Sequence, residues 1–116
     1  MQRRHRLSRS KDFDAVYRHG SSASGRYLTL HWFPRDEDPA GVPRLGLAVP
    51  KSVGTAVVRN RVKRLLREVW RARLDEVPHG CDYVLVARPG IAEPANARGA
   101  EWLGSELAEI LKKADA

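Results

Sequence analysis

The chain has 116 residues, of which 42% are hydrophobic, and it carries a formal net charge of +7. This length favours a single domain spanning residues 1–116, and the hydrophobic fraction argues against intrinsic disorder. The single cysteine, Cys81, excludes an internal disulfide and is typical of a reducing compartment, so we expect a cytoplasmic protein. No apolar run approaches the ~18 residues that a membrane span needs, and no signal peptide is expected.

The order of apolar and polar residues predicts three helices and three strands. A strand alternates its side chains between two faces, whereas a helix brings residues three and four apart onto one face. In the strand at 26–33, for example, Leu28 and Leu30 lie on one face and His31 lies on the other. In chain order we expect a flexible basic arm at residues 1–9, a helix from Ser10 to Gly20, a loop at 21–25, strands at 26–33 and 45–49, a helix at 55–74, a strand at 83–87 and a helix at 96–114.

The connections between these elements predict the fold class. The strands at 45–49 and 83–87 are joined through the helix at 55–74, which favours a parallel pair with a helical crossover. One sheet with helices packed against it would bury the apolar residues of every element. The sequence therefore predicts an α+β fold, an α-β-β-α-β-α two-layer sandwich.

The positive charge is concentrated in two segments. Residues 1–26 carry a net charge of +5 and residues 59–73 a net charge of +6, whereas residues 27–58 are neutral and residues 74–116 carry −4. Many charge runs are only solvated faces. A net charge of +6 within fifteen residues is nevertheless more typical of a surface that binds a polyanion such as a nucleic acid.

The helix at 55–74 separates its apolar side chains from its basic ones. The apolar stripe consists of Val58, Val62, Leu65, Leu66 and Val69, and the opposite band of Arg59, Asn60, Lys63, Arg64, Arg67 and Arg71, with Arg61 at its flank. A solvated helix would intersperse acidic residues at a spacing of four, but here only Glu68 intervenes. We predict that a polyanion binds this band. A helix-turn-helix DNA reader is excluded, because strands precede and follow the helix.

The same region resembles the signature of the bacterial ribonuclease P protein subunit. Residues 44–68 read RLGLAVPKSVGTAVVRNRVKRLLRE, and their centre is Arg59-Asn60-Arg61 followed by Val62, Lys63, Arg64 and Arg67. The aromatic pattern of Phe13, Val16, Tyr17 and Gly20 and the segment at 82–89 also resemble that family, in the same order and spacing. The similarity covers nearly the whole chain.

The resemblance implies a fold and a function. The fold would be the sandwich predicted above, with a left-handed crossover through the arginine-rich helix. The protein would assist a catalytic RNA that removes the 5′ leader from precursor tRNA, making it the protein component of an endoribonuclease. The RNA, with Mg²⁺, would perform the hydrolysis, so no catalytic or metal-binding residue is expected in the protein. Its partners would be ribonuclease P RNA and precursor tRNA, and without RNA we expect a monomer.

The resemblance also implies roles for individual residues. Contacts with the catalytic RNA would come from Arg59, Asn60, Arg61, Lys63, Arg64, Arg67 and Arg71. Contacts with the leader would come from Phe13, Tyr17, His31, Lys51 and Arg88. Judged by spacing alone, Phe13 and Tyr17 could be core residues of an amphipathic helix, His31 a surface histidine of a strand, and Lys51 and Arg88 rim charges.

Some residues depart from the family pattern or favour other functions. Ser52 stands where members of the family often carry a second basic residue after the lysine. Asp36-Glu37-Asp38 is expected to be a solvated loop, and His79 and Cys81 are too few for a zinc site. A stand-alone nuclease and a basic ribosomal or RNA-chaperone protein remain the alternative functions. Of the three functions, only that of a ribonucleoprotein subunit predicts that precursor tRNA is matured when a catalytic RNA is added to the protein, and not without it.

Overall fold

The computed structural model describes residues 20–35 and 40–115. The predicted arm, the predicted first helix and the acidic residues 36–38 lie outside the described residues. The helices and strands are β1 (Ser21–Ser24), β2 (Leu28–Pro34), β3 (Arg44–Ala48), α1 (Ala56–Ala72), β4 (Cys81–Ala87) and α2 (Ala92–Asp115). Short 3-10 helices at Lys51–Val53 and Leu74–Glu76 precede and follow α1.

The four strands form one mixed sheet in the order β1-β2-β4-β3. β2 pairs antiparallel with β1 and with β4, whereas β3 and β4 run parallel. The parallel pair confirms the predicted crossover through the basic helix, and the α+β class is confirmed with it. The left-handed sense of the crossover stays a prediction of the family resemblance.

The prediction of a loop at residues 21–25 is wrong, because Ser21–Ser24 forms the edge strand β1. The segment lacks the apolar alternation that marks a strand in sequence, since three of its four residues are serine. Backbone pairing places it against β2, with Ser24 opposite Thr29. The Gly25 N–H donates to the Leu28 carbonyl at 2.8 Å and closes the turn between the two strands.

Both helices bury their apolar residues against the same face of the sheet. Leu28 and Leu30 of β2 are fully buried on that face, which confirms the predicted alternation of this strand. From the helices, the buried residues are Val62, Leu66, Val69 and Trp70 of α1 and Leu103, Leu107 and Ile110 of α2. The opposite face carries a smaller apolar cluster around the fully buried Val84, which lies opposite His31 in the pairing of β2 with β4.

Local sequence explains where the helices begin and bend. Thr55 caps α1, and its side chain accepts a hydrogen bond from the Val58 N–H at 3.3 Å. Gly54 is required there, since a Cβ atom would lie 2.8 Å from Val58 Cγ1. α2 begins at Ala92, earlier than predicted, because a proline in the first turn loses no hydrogen bond. Gly99 kinks α2 with a φ of 70°. No helix in the two described ranges is long and apolar enough to cross a membrane.

A buried carboxylate ties three strands together at one end of the sheet. Asp82 of β4 is only 4% exposed and accepts hydrogen bonds from Arg44 of β3, with Nε at 2.7 Å and Nη2 at 2.6 Å. Arg35, directly after β2, places its Nε 3.6 Å from the same carboxylate and donates through Nη2 to the Val42 carbonyl. Asp82 is therefore a shared counter-ion of both arginines.

Replacing this anion tests its contribution to stability. We expect Asp82→Ala to lower the free energy of unfolding by about 3 kcal/mol, because it leaves the buried Arg35 without its counter-ion. Urea unfolding of the variant and of Asp75→Ala, which removes an exposed carboxylate, measures the difference. The control should change stability by at most about 0.5 kcal/mol. Equal effects of the two substitutions would contradict this role of Asp82.

Candidate nucleic-acid interface

The basic band of α1 is narrower in the structure than the sequence predicts. Successive residues of a helix are rotated by about 100°, which puts Trp70 between Arg59 and Lys63 on the circumference. Trp70 is fully buried, so the buried arc of α1 extends under these two residues and leaves both half-buried. The apolar stripe predicted from the sequence did not include Trp70.

The exposed centre of the band consists of Asn60, Arg64 and Arg71, with Arg67 half-buried beside them. Within residues 20–35 and 40–115, no carboxylate lies within 4.0 Å of any basic residue of this band. Glu68 lies on the same helix and is exposed, but it forms no ion pair there. The band therefore presents uncompensated positive charge to solvent, on a helix whose other side is fixed in the core.

Arg61 points away from the centre of this band. Its Nη1 donates to Oδ1 of Asn96 on α2 at 3.1 Å. The two side chains lie at a cavity of about 190 Å³ between the helices, which Val58 and Leu65 also line. Arg61 thus connects α1 to the first segment of α2, and its charge lies at the margin of the basic surface.

A second group of predicted site residues lies at one edge of the sheet. β3 and β4 are parallel neighbours, so the residues that follow them, Lys51 and Arg88, emerge at the same edge. Both side chains are exposed. Arg88 is held to the turn between β1 and β2, because its Nη1 donates to the Gly25 carbonyl at 2.9 Å and its backbone N–H donates to the Tyr27 carbonyl.

His31 lies on the sheet face opposite the helices, three residues into β2 from the same edge. Burial lowers the pKa of His31 from its usual 6.5, which favours the neutral imidazole. A neutral ring carries no charge to attract a phosphate, so His31 suits the flat face of a nucleobase better. The structure therefore brings together Lys51 and Arg88, with His31 further in on the sheet. Phe13 and Tyr17 lie outside the described residues, and their roles stay predictions.

Two residues near this edge carry charge that the sequence did not single out. Arg26 is exposed in the turn between β1 and β2, and Lys113 of α2 donates through Nζ to the Ser24 carbonyl at 3.0 Å. Ser24 and Lys113 are 89 positions apart, so no local pattern could have associated them. The serine-rich β1, which positions this turn, also gave no signal in the sequence.

The described residues contain no group of three or more His, Cys, Asp or Glu side chains that could hold a metal ion. Cys81 is half-buried, and desolvation raises the pKa of its thiol, which keeps it protonated. Asp36-Glu37-Asp38 lies outside the described residues.

Comparison with known proteins identifies the family. The family model described as Ribonuclease P matches residues 1–115. The ribonuclease P protein component of Brevibacillus brevis is 39% identical over 98% of this chain and 86% of its own length. The RNase P protein from Thermotoga maritima superimposes with a TM-score of 0.82 at 27% identity, covering 95% of this chain and 97% of that chain. The Staphylococcus aureus RNase P protein gives a TM-score of 0.79 at 28% identity, over 95% and 94%.

The lowered pKa of His31 predicts a pH dependence of stability. His31 binds a proton at a higher pH in the unfolded chain than in the folded protein. Its desolvation therefore leaves the free energy of unfolding unchanged above pH 6.5 and lowers it increasingly below that pH. His31→Gln should therefore reduce the loss of stability between about pH 7 and about pH 5. Urea unfolding of both proteins at these two pH values measures it. An unchanged pH dependence would mean that the ring is not desolvated.

Proposed function

The chain belongs to the ribonuclease P protein family, and we propose that its two basic surfaces bind two different RNAs. The protein is the subunit of ribonuclease P that associates with the catalytic RNA in tRNA processing. The exposed band of α1 contacts that catalytic RNA, and the sheet edge with Lys51 and Arg88 contacts the 5′ leader of precursor tRNA.

Uncompensated positive charge on α1 is the observation that supports binding of the catalytic RNA by this helix. Arg64, Arg67 and Arg71 have no carboxylate partner within residues 20–35 and 40–115, and Arg59 has a buried Nε without an acceptor. Phosphate oxygens would supply the missing acceptors and relieve the repulsion between neighbouring turns. The amide of Asn60, exposed between these cations, can donate to and accept from a base or a ribose.

The sheet edge supports leader binding in a different way. Lys51 and Arg88 supply isolated cations at the ends of two adjacent strands, and the neutral ring of His31 supplies a surface for a base. Stacking of bases on rings depends little on sequence, which suits an enzyme that meets many different leaders. Ser52 is exposed beside Lys51 and adds no charge, so this part of the edge relies on a single cation.

Catalysis in this enzyme belongs to the RNA. We assign the Mg²⁺ of the reaction to the RNA subunit. The protein contributes binding energy, which holds the substrate so that the scissile bond is correctly placed. We further propose that the free protein is a monomer and acts in the cytoplasm, where precursor tRNA is processed.

Reconstitution tests this function against the two alternatives. Adding the protein to a bacterial ribonuclease P RNA at low Mg²⁺ should restore 5′ maturation of precursor tRNA, since the protein's cations replace part of the screening that Mg²⁺ provides. Gel analysis of cleavage, with RNA-only and protein-only controls, provides the measurement. Cleavage by the protein alone would favour a stand-alone nuclease. No gain over the RNA alone would favour a ribosomal protein or an RNA chaperone.

The exposed band makes a separate prediction about salt dependence. Arg64→Ala combined with Arg71→Ala should weaken binding of the catalytic RNA and reduce the slope of log K against log salt by about 2, one unit for each lost phosphate contact. The matched control is Arg73→Ala, because Arg73 follows α1 and is paired with Glu76 at 3.0 Å. Filter binding at several salt concentrations measures both slopes. A reduction as large for the control as for the double variant would argue against specific contacts on the band.

A further inference from the structure

The turn between β1 and β2 is surrounded by cations and aromatic rings, of which the proposed contacts use only Arg88. We call this surface the turn patch, and it consists of Arg26, Tyr27, Arg88, Trp102 and Lys113. Two of its cations are anchored on the turn itself: Arg88 donates to the Gly25 carbonyl at 2.9 Å, and Lys113 donates to the Ser24 carbonyl at 3.0 Å. The patch thus joins three segments that are distant in the chain.

The two aromatic rings of the patch pack against each other and are only half-buried. The rings of Tyr27 and Trp102 meet edge to face, with centroids 5.1 Å apart and planes at 72°. The guanidinium of Arg26 lies over the Tyr27 ring, 5.3 Å from its centroid. Because both rings keep part of their surface open to solvent, a flat ligand could extend the stack without unfolding anything.

The charge of the patch is not neutralised by its surroundings. Glu106 and Glu109 lie on the same helix as Lys113, and Glu93 follows β4 after Arg88. None of these carboxylates comes within 4.0 Å of a patch cation in the described parts of the chain. Arg88 and Lys113 instead donate to backbone carbonyls, which keep the cations in place without cancelling their charge.

We propose that the turn patch binds single-stranded RNA, as a continuation of the path that the 5′ leader takes along the sheet edge. Cations interleaved with exposed aromatic rings are the combination that single-stranded nucleic acids require, because phosphates and unstacked bases are bound together. The exposed band of α1 lacks this combination, since its one aromatic residue, Trp70, is fully buried. The α1 band therefore suits a structured RNA, and the turn patch suits a single strand.

The geometry makes the path continuous. Lys51 follows β3, Arg88 follows β4, and the turn joins β1 to β2. The strands lie side by side in the order β1-β2-β4-β3, about 4.8 Å apart. Lys51, Arg88 and the turn therefore follow one another along the edge. Arg88 belongs to both the proposed leader contact and the turn patch. A leader that passes Lys51 and Arg88 would next reach Arg26 and the two rings. This inference rests on the proposed function for the identity of the strand, but not for its single-stranded character.

Tryptophan fluorescence tests the patch without the catalytic RNA. A short single-stranded RNA, added to the free protein, should quench emission from Trp102, because a base stacked on the excited indole quenches it by electron transfer. Trp102→Phe should abolish most of the quenching, whereas the matched control Trp32→Phe, which also removes a half-buried indole, should preserve it. Quenching that survives Trp102→Phe and is lost in Trp32→Phe would overturn the proposal, as would quenching by duplex RNA alone.

The assembled enzyme provides the second test. Arg26→Ala combined with Lys113→Ala should weaken binding of a precursor with a leader of about 12 nucleotides about tenfold, and should leave a leader of about 2 nucleotides unaffected. Lys112→Ala removes an exposed cation from the adjacent position and serves as the control. Equal weakening for both leaders, or weakened binding of the catalytic RNA instead, would overturn the patch. Failure of the wild-type protein to support cleavage would refute the proposed function, while the quenching result would still decide the patch.

Discussion

The packing of α1 against the sheet is the constraint on which the proposed RNA surfaces depend. Val62, Leu66, Val69 and Trp70 are at most 4% exposed, and burial of each contributes about 2 kcal/mol. Like charges on adjacent turns of the same helix oppose folding by about 0.3 kcal/mol per pair. Burial therefore outweighs the repulsion, and the basic band is formed before any RNA arrives. The rotation of α1 is fixed by the same contacts, which determine that Asn60, Arg64 and Arg71 face solvent while Arg61 turns towards α2.

The crossover through α1 also creates the second surface. Because β3 and β4 are parallel, the chain leaves both strands at one edge, and Lys51 and Arg88 meet there although they are far apart in the sequence. The turn between β1 and β2 reaches the same edge and receives hydrogen bonds from Arg88 and Lys113. At the opposite end of the sheet, Asp82 holds Arg35 and Arg44. Asp82 neutralises part of the positive charge at this end, whereas the cations at the other end have no carboxylate partner among the described residues.

The sequence predicts the fold class and the basic helix because periodicity and charge are local properties. It does not predict β1, because this serine-rich edge strand is held by backbone pairing with β2 and its side chains show no pattern typical of a strand. The helical wheel does not predict the burial of Trp70, because it places this residue between Arg59 and Lys63 in the basic band. Tertiary packing against Tyr83, with ring centroids 5.2 Å apart, decides its burial. α2 begins earlier than the sequence predicts, because Pro94 would interrupt a helix elsewhere but is tolerated in its first turn. The family resemblance points to Lys51 and Arg88, but only the sheet order shows that they share one edge. Arg26 and Lys113 are likewise placed near that edge only by the structure.

The central claim is that one small protein presents a catalytic-RNA surface on α1 and a leader surface at the sheet edge. Site-directed crosslinking in the assembled enzyme tests it most directly, because the chain has a single cysteine to remove. In a Cys81→Ser background, a photoreactive group attached through Arg64→Cys should crosslink to the catalytic RNA, and one attached through Arg26→Cys should crosslink to the leader of bound precursor tRNA. Crosslinks from both positions to the same RNA, or the two targets exchanged, would contradict the account.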